Sequence, residues 1–139
     1  MTDPLASGTP LVIAAHGTRD KSGVAECRAL AERIAGKLPG IPVELGFVEL
    51  AEPGIPEAVR AAVAQAPKKP EEADGDEEPA AAVVVPLMFN TGGHVREDIP
   101  EAIDEGRGDA RVVYSAPLLP DVRMRKALSR RLSETLAAG

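Results

Sequence analysis

Apolar and polar positions along the chain follow two alternating periods. Short apolar runs occur at "PLVIAAHG" (10–17), "IPVELGFVEL" (41–50), "AAAVVVPLMF" (80–89) and "ARVVYSAPL" (110–118). Each has strand length and is bounded by Gly, Pro or polar clusters. Between them the spacing changes to three and four. Val24, Cys27, Leu30, Ala31, Ile34 and Leu38 fall along one side of a helix predicted over 23–38. A second helix is predicted over 53–66, with Pro56 in its first turn. A third runs over 96–106, with Asp98 near its start and Gly106 closing it. A fourth runs over 121–138, with Val122, Leu128, Leu132 and Leu136 inward and basic residues elsewhere.

Strand and helix alternating in this way imply a parallel sheet joined by right-handed crossovers. The expected fold is a small doubly wound, flavodoxin-like α/β domain: a four-stranded parallel sheet with helices on both faces. The expected strand order is 2-1-3-4. The third run is the most apolar, as a central strand covered on both sides should be. Residues 1–139 are read as one domain, in keeping with their number. Within it, 1–9 are expected to form a flexible leader and 67–79 a mobile acidic insertion, "PKKPEEADGDEEP".

Composition narrows the class. Hydrophobic residues make up 44% of the chain but aromatics only 2%, so base-stacking platforms for single-stranded nucleic acid are disfavoured. The net charge of −6 argues the same way for duplex binding. Cys27 is the single cysteine, which excludes an internal disulfide and a cysteine zinc cluster, and its place on the apolar side of the first helix suits packing. No run reaches the ~20 apolar residues of a membrane span. A cytoplasmic protein with neither nucleic-acid nor membrane partners is expected.

The chain has two histidines. His16 directly follows the first strand, and His94 lies a few residues beyond the third, behind Gly92 and Gly93. Open parallel sheets bind ligands beyond the carboxyl ends of their strands, where the strand order reverses. Strands one, two and three are neighbours in the expected order, about 4.8 Å apart. His16, His94 and Glu49, at the end of strand two, can therefore converge, with the glycines allowing a sharp turn. Glu52 competes with Glu49 for the acidic place. Two imidazoles and a carboxylate suit a borderline divalent ion, and three protein ligands leave coordination positions open. Phosphate-binding glycine motifs are absent, so a nucleotide site is not supported.

Four segments carry a resemblance to a known family. "AAHGTRD", "GFVELAEPGIPEAV", "VVVPLMFNTGGHVREDIPEAI" and "APLLPDVRMRKAL", in that order, resemble the motifs of the class II chelatases of the sirohydrochlorin type, from Leu11 to Leu136. The resemblance implies insertion of cobalt or iron, or nickel, into sirohydrochlorin or a related tetrapyrrole. The divalent metal is then a substrate, and no organic cofactor is expected. Carried over, the metal and catalytic residues are His16, His94 and Glu49. The family's short members pair as homodimers that resemble the two halves of longer fused enzymes. The acidic insertion is longer than the family pattern, and a metal-storing histidine tail is lacking.

Sirohydrochlorin is rich in carboxylates, so cations should surround the cleft. Arg19, Lys21 and Arg96 flank the histidine loops and are the expected substrate-binding residues. The alternative is a noncatalytic metal- or tetrapyrrole-binding module of the same fold, since a fold alone does not fix an activity.

Overall fold

The computed structural model of the chain describes residues 8–67, 80–87, 93–115 and 122–138; of these, the side chains of 93–96, 122, 124 and 125 are outside the description. The proposed leader 1–9 and acidic segment 67–79 therefore lie almost wholly outside the described residues.

Four strands alternate with four helices: β1 (Leu11–Ala15), α1 (Lys21–Lys37), β2 (Val43–Phe47), α2 (Ile55–Ala64), β3 (Ala82–Pro86), α3 (Gly93–Arg107), β4 (Val112–Tyr114) and α4 (Val122–Ala138). The strands form one sheet in the order β2-β1-β3-β4, all pairs parallel, as expected from the sequence. Alternation within each strand sorts side chains between two faces. Val12 and Ala14 join Ala82 and Val84 beneath α2 and α3, with Ile55, Val59, Ile99 and Ile103 closing that core. Ile13 and Ala15 join Leu45 and Phe47 on the opposite face, where Val24, Cys27, Ala31 and Ile34 of α1 pack over them. Cys27 is thus a half-buried packing residue.

The helix ends differ from expectation in instructive ways. α1 begins at Lys21, two residues early, because Asp20 caps it: its carboxylate accepts the Ser22 backbone N–H at 2.9 Å and the Ser22 hydroxyl at 2.8 Å. These bonds, the hydroxyl's first, hold the Asp20 carboxyl below its ordinary pKa. α3 begins at Gly93, three residues early, so His94 belongs to its first turn and not to a loop.

Nor does Gly106 close α3. The helix continues to Arg107, and Gly108, at φ 60°, takes the left-handed closing position. Gly106 is instead a crossing point. A Cβ there would lie 2.3 Å from the Pro56 carbonyl oxygen, so its hydrogen lets α3 press against α2.

The largest departure concerns α4. Leu128, Leu132 and Leu136 were expected to point inward, but they are 55%, 61% and 73% exposed. The apolar stripe of this helix is thus solvent-exposed in the single chain at Leu128, Leu132 and Leu136.

Candidate functional site

The parallel ladder between β1 and β2 does not stop where the strands do. Val48 N–H donates to the Ala15 carbonyl at 2.9 Å, and Glu49 N–H donates to the His16 carbonyl at 3.1 Å. The backbone therefore carries His16 and Glu49 side by side off the carboxyl end of the sheet. Their side chains meet there, with His16 Nε2 3.5 Å from Glu49 Oε1, and both are more than half exposed.

Gly17 makes this approach possible. It sits at φ 102°, and a Cβ there would fall on the Glu49 carbonyl oxygen, 1.8 Å away. Only glycine tolerates both the conformation and the contact. The far side of the loop is tied down as well. Phe47 N–H donates to the Pro53 carbonyl at 2.9 Å, and Leu50 adopts a left-handed φ of 65°. A left-handed leucine persists only where its surroundings hold it there.

Of the two competing acids, Glu49 is the one brought to His16. Glu52 faces a different feature, a groove of about 560 Å³ between the start of α1 and the β2–α2 loop. Thr18, Arg19, Lys21, Arg28, Leu50 and Glu52 are among its walls; His16 and Glu49 are not. Two of the three expected cations, Arg19 and Lys21, therefore share one groove, whose walls do not include the His16–Glu49 pair.

Arg28 was missed by the sequence reading. Its Nη2 donates to the Glu52 carbonyl at 3.1 Å, joining α1 to the loop that carries Glu49. A signal was available: Lys21, Ala25, Arg28, Ala29 and Glu32 recur at helical spacing, so small residues leave a trough between charged ones.

His94 lies at the second position of α3, the helix that follows β3, the other neighbour of β1. Its side chain and that of Arg96 are outside the described residues. Among the described residues, no three His, Cys, Asp or Glu side chains gather in a way that could hold a metal ion. The described donors at the sheet end are the imidazole of His16 and the carboxylate of Glu49. A neutral imidazole can ligate a divalent ion or accept a proton, and a carboxylate beside it can do either or offset the ion's charge.

Comparison with known proteins decides the relationship. The CbiX family model matches residues 10–135. The chain belongs to the CbiX family. Relatives of different lengths match the chain. The sirohydrochlorin cobaltochelatase of Sulfolobus acidocaldarius is 31% identical over 127 residues, which cover 91% of this chain and 92% of that protein. The sirohydrochlorin ferrochelatase of Priestia megaterium is 32% identical over 124 residues, covering 86% of this chain but only 42% of its own length. Against relatives of the second kind, the chain spans less than half their length.

The crystal structure of the sirohydrochlorin chelatase SirB from Bacillus subtilis subspecies spizizenii, in complex with cobalt, superposes with a TM-score of 0.72 at 28% identity, over 91% of this chain and 50% of that one. A CbiX protein from Marinobacter aquaeolei shares the fold at the same TM-score with 23% identity. Among the described residues no helix is long and apolar enough to cross a membrane.

Proposed function

We propose that this chain is a chelatase that inserts a divalent ion, cobalt or iron, into sirohydrochlorin or a closely related tetrapyrrole. The observation that carries the proposal is the His16–Glu49 pair, fixed by a backbone ladder at the carboxyl edge of a CbiX-family sheet. The names of the matched relatives support the same chemistry. The metal ion enters as a substrate. His16 and Glu49, joined by His94 from the start of α3, hold it through few bonds and from one side. Ring nitrogens can then replace the protein donors in turn.

Two pyrrole N–H protons must leave as the ion enters. His16 and His94 serve as ligands and proton acceptors near neutral pH, and Glu49 offsets the ion's charge or accepts the second proton. Arg19, Lys21 and Arg96 receive the substrate's carboxylates, helped by Arg28 across the groove. The protein acts in the cytoplasm as a homodimer of single-domain chains, and it needs no organic cofactor.

The test is anaerobic mixing of protein, sirohydrochlorin and cobalt or ferrous iron, followed by absorption. Wild-type protein is expected to accelerate insertion well above the spontaneous rate. Glu49→Gln is expected to retain more activity than His16→Ala if the glutamate tunes charge, and as little if it is the obligatory acceptor. Wild-type protein that binds the metal yet leaves insertion at its spontaneous rate identifies the noncatalytic module instead.

A further inference from the structure

The two loops that bring His16 and Glu49 together are both mounted on α1. The His16 loop runs through Gly17 into the Asp20 cap, whose carboxylate takes the Ser22 N–H and hydroxyl. The Glu49 loop meets α1 further along the helix. Ala51 packs onto the same core cluster as Val24 and Cys27, and the Glu52 carbonyl accepts a hydrogen bond from Arg28 Nη2 at 3.1 Å. Between these anchors and Glu49 stands Leu50, left-handed at φ 65° and 49% exposed. A leucine in that conformation has a crowded backbone, and half-exposure returns little burial to offset it. Released, it would relax toward negative φ. That rotation turns the planar peptide it shares with Glu49, whose carbonyl oxygen lies where a side chain on Gly17 would be.

We infer that Arg28 is a positioning residue for Glu49: by holding the Glu52 carbonyl it keeps Leu50 in its left-handed turn, and so keeps the Glu49 carboxylate against His16. The inference rests on the proposed reading of Glu49 as a working carboxylate. Main-chain bonds from Glu49 to His16 and from Phe47 to Pro53 fix the two ends of the turn. A turn fixed only at its ends can still rotate its inner peptides, and Arg28 grips one of them. Its own base is firm, because Arg28 follows Cys27, whose side chain packs on the sheet. The bond joins a charged donor to a main-chain acceptor, which is stronger than a bond between neutral groups. It also spans 24 positions of sequence, so it couples two separate elements and not one local turn. Arg28 thereby sets the spacing of the pair, 3.5 Å between His16 Nε2 and Glu49 Oε1, without touching either side chain.

The experiment is a double-mutant cycle between Arg28 and Glu49, read as kcat and KM for cobalt insertion into sirohydrochlorin. Arg28→Met keeps a long stem and removes the donor. It is expected to lower kcat about tenfold at saturating tetrapyrrole, with the melting temperature near that of wild type. Arg28→Lys, which retains a donor, is expected to recover part of the loss. Should Arg28→Met fold poorly, Arg28→Gln replaces it in the cycle. In a Glu49→Ala background the same substitution is expected to cost under about twofold, since no carboxylate is left to place. An equal loss in both backgrounds overturns the inference. So does a change confined to KM, which marks a direct contact with the substrate's carboxylates. Glu49→Ala that inserts cobalt at the wild-type rate overturns it too, and leaves a reaction centred on His16 standing. If wild-type protein leaves insertion at its spontaneous rate, the chelatase reading fails separately, and the cycle is read on cobalt binding by calorimetry. A loss of affinity on Arg28→Met that disappears in the Glu49→Ala background upholds positioning; no loss, or one that persists there, overturns it.

Discussion

On one side of the sheet, α2 and α3 together cover strands from β2 to β4, and Val12, Ala14, Ala82, Val84 and Ile99 lose all contact with water. On the other side, α1 covers β2 and β1 alone and has no fully buried residue of its own. The comparison teaches a division of labour. Packing density, and with it most of the stability, is concentrated beneath α2 and α3. The α1 side is more open: it carries the groove and its cations. The His16–Glu49 pair belongs to neither face but to the edge between them, so chemistry and stability should respond to different substitutions.

His16→Ala probes that separation with the largest expected effect. Insertion should fall by about 100-fold or more, while thermal unfolding followed by circular dichroism stays within a degree or two of wild type. A matching loss of stability would show that the edge is part of the core after all.

Ile99→Ala and Ile34→Ala then compare the two faces directly. Ile99 is wholly buried beneath α3, and its truncation should cost about 2–5 kcal/mol in urea unfolding. Ile34 is half-buried on α1 and should cost about 1 kcal/mol. Equal losses would break the comparison.

Gly106→Ala places a methyl against the Pro56 backbone, so α3 must move off α2. The expected loss is about 1–3 kcal/mol, and it sharpens the claim that these two helices meet at backbone distance.

Asp20→Ala should be the mildest, lowering the melting temperature by a few degrees near neutral pH. The sign with pH follows from the lowered carboxyl pKa. The cap's contribution is complete above the ordinary Asp value of about 3.9. It is lost as pH falls through the folded value, so the difference between Asp20→Ala and wild type should close at acid pH.

The strand order and the sorting of residues between faces were legible because alternation and helical spacing are local and each strand is short. The edge position of His16 and Glu49 followed from the same topology. The start of α3 was not legible: two glycines before a histidine read as a turn, yet Gly93 is the first helical residue. Gly106 misled for the opposite reason. Near a helix end it has the look of a closing residue, whereas its lack of a side chain serves a contact with Pro56, fifty positions away in sequence. The α4 stripe announced correctly that one side of the helix is apolar. Amphipathicity, however, names a need for cover without naming what supplies it. Helical spacing could have placed Arg28 on the groove, but not its hydrogen bond to the Glu52 backbone carbonyl, which no residue type at position 52 signals.

The loop that bears Glu49 is held by main-chain groups: the amides of Phe47, Val48 and Glu49, the carbonyls they reach, and the Glu52 carbonyl that takes Arg28. None of these bonds uses the Glu49 side chain. Position 49 is thus a free variable on a fixed mount. A lineage can exchange the carboxylate for an amide, an imidazole or a hydroxyl without asking the backbone to be reinvented each time. On the proposed reading of Glu49 as a metal donor, preference for an ion would change by single substitutions at this position while the architecture around it is inherited unchanged.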